Sequence, residues 1–562
     1  MARAQRLAYL AAAAAMLALL SISCGGAVAP TTTATRPPAG PTPTVVAAVS
    51  PTPAVGQAPA PTATPVARST PTAAPAPAKA AGRVIFASDA LGDVNLGPTK
   101  ARNGFVWSYF TLVYDSLVGF RAPDGALVPA LATKWEADPN ALGWTFTIRT
   151  DVRFQNGAAM TAEDVAYSVM LPSAAEGVLG NVLKGAKVID PKTVQIVYSR
   201  PLATLPHLPV SFNRIMPKAY LEQVGEDRAA RNPIGAGPLR VTGMAIGESV
   251  DLQAWEGYYD SARTPSYLDL KMREIIEPST RLAALQVREV DIAAFTPVQI
   301  PAVKKDSSLR LVSVRGATNS YFKFSGYGIP GFPTNDFRVA RAMSMAIDRQ
   351  ALAEKIYNGA AIPAAVGYLN PGSFGYNPDI PLWPYDLKQA KQLLADAGYS
   401  NGFEIEVMFR PPDKTWVEAV AAMWQDVGIR ARLSMMEPGA YTARWTTAKG
   451  NGALAAIDAT SSFDRTGAIQ SHVASQARGG SAWSYNNDPK LDDLITPAVE
   501  IADVERRLAA IKKLTEYMRE YPPVISVLFA DKSYGLGPRI ESWPAIHGNR
   551  EPLGLELVKL KR

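Results

Sequence analysis

The chain has 562 residues, of which 47% are hydrophobic, 19% are charged and one is a cysteine. Five of the 57 basic residues fall within the first 81 positions, so the rest of the chain has 52 basic and 50 acidic residues, a net charge of +2. The net charge of +7 for the whole chain therefore does not indicate nucleic-acid binding. A single cysteine excludes an internal disulfide, and the roughly 480 residues after position 81 are enough for two or three domains.

The start of the chain predicts an export signal. Two arginines precede an apolar run of 14 residues that ends at Leu20, and this run is too short to cross a bilayer comfortably as a helix. The residues that follow resemble a bacterial lipobox, with Ser21 where leucine is usual. We therefore predict a lipoprotein signal at residues 1–23 and lipidation of Cys24. The alternative is an ordinary secretory signal with an incidental cysteine.

Residues 24–81 are predicted to form a disordered stalk. After the cysteine this segment contains no aromatic and no acidic residue and consists mainly of Ala, Pro, Thr and Val. Such a composition cannot bury enough apolar surface to offset the conformational entropy of the chain. We expect an extended tether, partly in the polyproline II conformation, that spans about 40 Å or more.

Strand and helix patterns alternate after the stalk. The segment GRVIFASD predicts an opening strand, and the alternation of Trp144, Phe146 and Ile148 predicts a half-buried strand. Thr161 is expected to cap the helix of TAEDVAYSVM, whose first turn is acidic. Helical spacing recurs in DFRVARAMSMAIDRQALAEKIY, YDLKQAKQLLADAGY and DVERRLAAIKKLTEYMREY, and Gly398 is predicted to be the C-terminal cap of the second helix. This mixture predicts an α/β fold.

Residues 127–170, LVPALATKWEADPNALGWTFTIRTDVRFQNGAAMTAEDVAYSVM, resemble the signature of the extracellular solute-binding proteins of family 5, the peptide- and nickel-type receptors of ABC importers. NPIGAGPLRV resembles the family's glycine-rich turn, with Ala236 and Leu239 where threonine and an aromatic residue are usual. STRLAALQVREVDIA resembles its next block, with Arg288 in place of a common glycine. The three helical segments and DPKLDDLITPAVE follow in the family's order, so the resemblance covers essentially all of residues 82–562.

The resemblance implies a type II periplasmic-binding-protein fold with two lobes, a hinge and an extra subdomain on lobe I. The implied boundaries are 82–325 for lobe I, about 120–230 for the extra subdomain, 326–525 for lobe II and 526–562 for the return to lobe I. A solute would lie between the lobes and shift the population toward a closed state. The implied protein is an extracytoplasmic, lipid-anchored monomer that delivers a solute, with peptide as the first expectation, to ABC transporter permease subunits.

The sequence carries no recognised signature of an enzyme, a cofactor or a metal site. It has no Walker A loop, no H-E-x-x-H and no G-x-S-x-G, and we predict neither catalytic residues nor a cofactor. His207, His472 and His547 are far apart and stand in no cluster of ligand-type residues, so we predict no metal. The alternatives are a receptor for oligosaccharide or another solute, a sensing or peptide-holding domain, and an exported hydrolase without an evident nucleophile and base.

Arg410 is the first candidate for ligand binding. It lies in VMFRPPDKTW, which resembles the loop that supplies an arginine for the peptide carboxylate in dipeptide receptors; a guanidinium meets a carboxylate through two parallel hydrogen bonds. The alternative is a surface arginine at a strand end. The family's amine-binding aspartate aligns with Ser461 or, after a shift of three, with Asp458. Ser461 would leave a free amine without its counter-ion in a desolvated cleft.

Aromatic side chains are further candidates, because they could stack on peptide side chains or sugar rings. For the residues near position 110 the alternative is core packing of a helix, and Trp424 is predicted to be structural. The candidates are Trp107, Tyr109, Trp416, Trp483 and Tyr485.

Overall fold

The structure of the chain is a computed structural model. It describes residues 82–91, 107–121, 126–171, 182–203, 214–324, 331–447, 454–460, 464–478, 480, 484, 486–545 and 554–561. The predicted signal, Cys24 and the predicted stalk lie outside these residues, as do the predicted lobe boundary at 325/326 and two of the three histidines. Within the described ranges no helix is both long enough and apolar enough to span a membrane.

The strands of the described residues are numbered in chain order. They are β1 (Arg83–Ser88), β2 (Val118–Phe120), β3 (Leu127–Pro129), β4 (Ala132–Ala137), β5 (Gly143–Ile148), β6 (Leu183–Asp190), β7 (Thr193–Tyr198), β8 (Leu239–Ala245), β9 (Ser249–Ala254), β10 (Asp269–Glu274), β11 (Ile292–Phe295), β12 (Arg310–Phe324), β13 (Ala361–Pro363), β14 (Phe403–Phe409), β15 (Ile429–Met435), β16 (Leu454–Thr460), β17 (Val524–Leu536), β18 (Ile540–Ser542) and β19 (Lys559–Leu560).

The α-helices of the same residues are numbered likewise. They are α1 (Trp107–Val113), α2 (Ala162–Val169), α3 (Lys218–Val224), α4 (Glu226–Arg231), α5 (Pro278–Gln286), α6 (Ile300–Lys305), α7 (Phe337–Met345), α8 (Arg349–Ala351), α9 (Leu387–Asp396), α10 (Lys414–Gln425), α11 (Pro438–Thr447), α12 (Thr466–Val473), α13 (Pro489–Glu500) and α14 (Val504–Glu520). A π-helix, Leu352–Ile356, follows α8 directly.

One large sheet runs through the described residues. Its strands follow the order β15-β14-β16-β12-β17-β11-β1-β10-β9-β8, and β13 pairs with β17. β1 is parallel to both of its neighbours, whereas β12 is antiparallel to β16 and β17. This mixed sheet with helices confirms the predicted α/β class.

β12 and β17 are the longest strands and join two hydrophobic cores. Core A contains the first half of β12 through Val314 and Ala317, and it also takes side chains from β1, α1 and β8 to β10. Core B contains the second half of β12 through Phe322 and Phe324, and it also takes side chains from α7, α10 and β14 to β16. β17 runs antiparallel and contributes Ala530 to core B and Tyr534 to core A. Two bodies are therefore connected through two continuous strands.

A second sheet, in the order β4-β5-β7-β6, carries the predicted alternation. Trp144, Phe146 and Ile148 of β5 are buried on its inner face, where they belong to a third core, core C. Core C also takes side chains from α2 and from α12 to α14. The subdomain sheet therefore packs in one cluster with helices from the C-terminal third of the chain.

Two helix caps predicted from the sequence, Thr161 and Gly398, are present in the structure. The Thr161 hydroxyl accepts a hydrogen bond from the Asp164 backbone N–H, and the Asp164 carboxylate accepts one from the Thr161 N–H, which forms a capping box. α9 begins after Asp386, whose side chain accepts from the Gln389 N–H, and it is followed by Gly398 at φ +90°. A glycine adopts this left-handed conformation without a Cβ clash, so the predicted cap is confirmed.

The segment 336–357 forms a broken helix rather than a continuous one. α7 ends at Met345, and α8 begins only after Asp348, whose side chain accepts from the Ala351 N–H. Arg349 holds the chain at this break: it is buried and its guanidinium donates to the carbonyl oxygens of Ser344 and Ser526. Helical periodicity cannot reveal these contacts, since the second acceptor lies 177 residues away.

The glycine-rich segment GAGPLR is a turn packed against the end of α1. A Cβ built on Gly235 would lie 2.2 Å from the Val113 carbonyl oxygen, and one built on Gly237 would lie 2.3 Å from the Leu112 carbonyl oxygen. Gln155 fixes this approach, because its side-chain amide donates to the carbonyl oxygens of Val113 and Leu239. The turn interpretation is confirmed, and the glycines serve close backbone packing.

Gly237→Ala should destabilise the protein by about 1–3 kcal/mol, because its methyl group would overlap backbone atoms that cannot move independently. The free energy of unfolding from urea titration measures this effect. Gly185→Ala in β6 is the matched control: nothing lies within 4 Å of its added Cβ, and we expect it to be neutral or slightly stabilising. Equal losses in the two variants would show that the close approach to α1 does not constrain the fold.

Candidate functional site

A group of polar side chains lies where core B meets core C, and we call it the junction cluster: Asn319, Tyr321, Lys323, Tyr368, Arg465 and His472. The first three alternate along β12, on the face opposite the core B residues Phe322 and Phe324. The rings of Tyr321 and Tyr368 lie 5.0 Å apart, and those of Tyr368 and His472 lie 5.9 Å apart. A strand, a loop and a helix thus bring these groups together.

Tyr368 occupies an unusual backbone conformation. Its φ is +76°, in the left-handed region, although its side chain is bulky and 0% exposed. Such conformations cost free energy and persist where the surroundings fix them, often at ligand-binding sites. The neighbouring loop is tied to β12, because the Asn370 amide donates to the Gly316 carbonyl oxygen at 2.7 Å.

Burial changes the electrostatics of the basic groups in the cluster. Desolvation lowers the pKa of Lys323 to about 7 and also lowers the pKa of Arg465. The pKa of His472 is lowered first by desolvation and then by the charges of Lys323 and Arg465. Burial therefore disfavours the charged form of all three groups, and the charges of Lys323 and Arg465 further disfavour protonation of His472.

An ion pair next to the cluster supports the start of α12. Asp464 accepts hydrogen bonds from the guanidinium of Arg507 and, at 2.7 Å, from the Thr466 hydroxyl. Both charged side chains are almost fully buried. Arg507 also donates to the Ala498 carbonyl oxygen, which holds α13 against α14. Breaking such a buried pair is strongly destabilising.

Contacts across the cluster join segments that the predicted boundaries assign to different lobes. The Arg200 guanidinium, just after β7, donates to the Gln470 side chain of α12 at 2.9 Å. The Ala203 N–H donates to the Val499 carbonyl oxygen at 3.0 Å. The described conformation is therefore one in which these segments are in contact, as a closed state requires.

Arg410 stands at the end of β14, as its sequence position suggested. Its Nε donates to Asp413 at 3.0 Å, and its guanidinium lies 5.8 Å from the ring centre of Tyr441. The Tyr441 hydroxyl donates to the Ala456 carbonyl oxygen in β16. The buried carboxylate of Asp413 thus orients the guanidinium beside β16. Its predicted role in carboxylate binding stays a prediction.

The two tryptophans of α10 belong to core B. Trp424 is fully buried and its Nε1 donates to the Met343 carbonyl oxygen, which confirms its structural assignment. Trp416 is 3% exposed and its ring lies 5.0 Å from that of Phe322. Its burial gives Trp416 a packing role in this conformation, and ligand contact by this residue stays a prediction.

The remaining predicted residues are described only in part. The backbone of Asp458 lies in β16, where it pairs with Ser320 of β12; the next pair in the register is Tyr321 with Ile457. Trp107 and Tyr109 are placed by their backbone in α1. Ser461, Trp483 and Tyr485 lie outside the described residues.

The junction cluster was missed by the sequence reasoning. A usable signal was present, because Lys323 interrupts the apolar run of β12 on the face of Asn319 and Tyr321. Arg465 directly follows Asp464 in the sequence. No sequence pattern joins these positions to Tyr368 or His472. Within the described ranges no group of three or more His, Cys, Asp or Glu side chains could hold a metal ion.

Known proteins resemble this chain over most of its length. A sequence profile of the bacterial extracellular solute-binding proteins, family 5 (middle), matches residues 126–479. The dipeptide-binding protein of Escherichia coli (strain K12) is 26% identical over 74% of this chain and 83% of its own length. The heme-binding protein A of Haemophilus influenzae is 27% identical over 77% of this chain and 84% of its own length.

A solved structure of a periplasmic binding protein has a fold similar to that of this chain. The ABC transporter-associated periplasmic binding protein DppA from Helicobacter pylori, in complex with the peptide STSA, superposes with a TM-score of 0.71. It is 23% identical and is matched over 86% of this chain and 98% of its own. The likeness confirms the periplasmic-binding-protein fold that the resemblance implied.

The buried ammonium of Lys323 should make stability depend on pH. Its pKa is about 7 in the folded protein and 10.5 as a model value, so the unfolded chain holds the proton more tightly. The cost of burying the charge is full below about pH 7 and decreases as the pH rises toward about 10.5. We therefore expect Lys323→Met to raise the Tm by roughly 2 °C or more at about pH 7 and by less at about pH 9.5.

Thermal unfolding at the two pH values measures this difference. Lys513→Met is the matched control, because Lys513 lies exposed on α14 and keeps its hydration in the folded state. A gain from Lys323→Met that is equal at both pH values would contradict the assignment.

Proposed function

Because the chain belongs to the bacterial extracellular solute-binding proteins of family 5, we propose that it captures a peptide between two lobes and delivers it to the permease subunits of an ABC importer. The family consists of binding proteins that act outside the cytoplasm, and its members do not need chemical turnover for this role. Ligand contacts that only the closed state provides would drive closure.

The two-lobe frame supports capture by closure. Cores A and B are separate hydrophobic clusters, and both β12 and β17 pass from one cluster into the other. We keep the predicted assignment of residues 82–325 and 526–562 to lobe I and residues 326–525 to lobe II, and we place the hinge itself where β12 and β17 pass between the cores, at Val314–Thr318 and Ala530–Lys532. Hinged domains of this kind move about a few residues that absorb the backbone change.

Arg410 is the observation that favours a peptide. It extends from the end of β14, oriented by Asp413, beside the strand whose register places Asp458 opposite Ser320. In this arrangement the guanidinium would bind the peptide carboxylate, and a carboxylate at position 458 would bind the amine. The printed names of the dipeptide-binding relative and of the peptide-bound structure agree with this substrate class.

A different solute is the second candidate. The heme-binding relative covers as much of this chain as the dipeptide-binding one does, so family membership alone does not select a peptide. A receptor for a sugar or another solute would have the same two-lobe fold with different contacts to its ligand. A sensing domain would also have this fold but would signal to a regulatory partner and not deliver its ligand to a permease.

We also propose that the protein is attached to the membrane by a lipid anchor. Acylation of Cys24, the single cysteine of the chain, would anchor the protein, and residues 24–81 would hold the lobes away from the lipid. The protein would then act as a tethered monomer close to its permease.

Native mass spectrometry of the chain, purified without denaturation, tests the proposed function. We expect adducts whose masses fit di- to oligopeptides, since a closed receptor retains its solute. Arg410→Ala should lose these adducts, because the carboxylate would be left without its bidentate partner in a desolvated cleft. The matched control is Arg432→Ala, which removes an exposed arginine paired with Glu406 in the same lobe.

One discrete adduct of non-peptide mass would contradict peptide uptake and favour the second candidate. Turnover of a bound compound would contradict a receptor altogether. Equal retention of peptide by both variants would remove Arg410 from the site.

A further inference from the structure

Arg465 is a buried cation for which the described residues offer no hydrogen-bond acceptor. The residue is 3% exposed, and neither its Nε nor its Nη1 makes a hydrogen bond with the part of the chain that the structure describes. Burial of an ionised group is costly unless the group is paired, and buried polar groups in proteins are generally hydrogen-bonded. Folding alone therefore gives no reason for an arginine at this position.

The surroundings of Arg465 do not neutralise its charge. The adjacent carboxylate of Asp464 is already bound by Arg507 and Thr466. The groups that act on Arg465 electrostatically are the phenols of Tyr321 and Tyr368. The other titratable members of the junction cluster, Lys323 and His472, are basic. Among the described residues of this region, no carboxylate forms an ion pair with Arg465.

Asn319 shows the same pattern in the same cluster. It is 0% exposed, and both polar atoms of its side-chain amide lack a hydrogen-bond partner among the described residues. Its Oδ1 lies beside Gly367, the residue before Tyr368. An amide supplies two N–H donors, and a guanidinium supplies five in a planar fork. Donors of both kinds suit a carboxylate.

We propose that Arg465 receives a carboxylate of the captured solute, with Asn319 as a neighbouring donor, so that the solute carries a negative group besides any carboxylate at Arg410. This inference rests on the proposed function, because the solute must enter between the lobes to reach the junction cluster. The buried guanidinium of Arg465 then forms an ion pair only when the ligand supplies the carboxylate. Peptides with an acidic side chain are the substrate class that this arrangement selects.

Two tripeptides that differ in one charge test the proposal, Ala-Glu-Ala and Ala-Gln-Ala. Isothermal calorimetry on the purified chain should give at least about tenfold tighter binding of the acidic peptide, as close charge pairs at buried interfaces do. Arg465→Met should reduce this ratio to about one, and Arg465→Lys should keep part of it. Arg478→Met, at an exposed arginine paired with Asp493, is the control and should keep the full ratio.

A second measurement needs no solute. Without ligand, Arg465→Met should have a Tm equal to or about 1–2 °C above that of the wild type, because removal of an unpaired buried charge does not destabilise the fold. A Tm lowered by several degrees would show an internal partner and overturn the proposal. A charge ratio that persists in Arg465→Met would overturn it as well.

Failure of both tripeptides to bind the wild type would contradict peptide capture, the proposed function, rather than the anion site. In that case the anion site is tested by the thermal stabilisation that inorganic phosphate gives relative to chloride at equal ionic strength. A larger thermal stabilisation by phosphate in the wild type than in Arg465→Met supports it. Equal stabilisation of the two proteins overturns it.

Discussion

A bulge in β12, held by Asp531, is the constraint on which the rest of the structure depends. Val314 pairs with Lys532 and Thr318 with Ala530, so four steps along β12 correspond to two along β17. Gly316 turns within this bulge at φ +57°, and the buried carboxylate of Asp531 accepts hydrogen bonds from the Gly316 N–H and the Arg315 guanidinium. The bulge lies where the strand leaves core A and enters core B. Because bulges bend and twist a strand locally, this is the natural position for a change of angle between the two bodies.

The same constraint connects the hinge region to the candidate site. Asn319, Tyr321 and Lys323 follow the bulge on one face of β12, and the loop of Tyr368 is bound to the bulge through the Asn370 amide and the Gly316 carbonyl oxygen. A rotation about the bulge would therefore move these residues relative to core A. In this account the solute supplies the missing negative charge, and the contact that it makes only in the closed state provides the free energy for closure.

Local and non-local features were unequally predictable from the sequence. The Thr161 capping box, the Gly398 cap and the alternation in β5 depend on residues within a few positions, and motif order alone identified the family and its fold. The break before Arg349 and the pairing of β12 with β17 depend on partners about 200 residues away, which periodicity does not encode. Arg465 could not be selected from the sequence for a related reason: its proposed partner is the solute, and no sequence pattern encodes that contact.

The distance between the lobes, measured by double electron–electron resonance with and without solute, tests the central claim most directly. Spin labels on cysteines introduced at Ile246, which is 85% exposed between β8 and β9, and at the exposed Lys388 of α9 would report on the two lobes, with Cys24 replaced by serine. We expect one short, narrow distance distribution in the chain that retains its co-purified solute and a longer or broader one after the solute is removed. Identical distributions in the two states would contradict capture by closure about the β12 bulge.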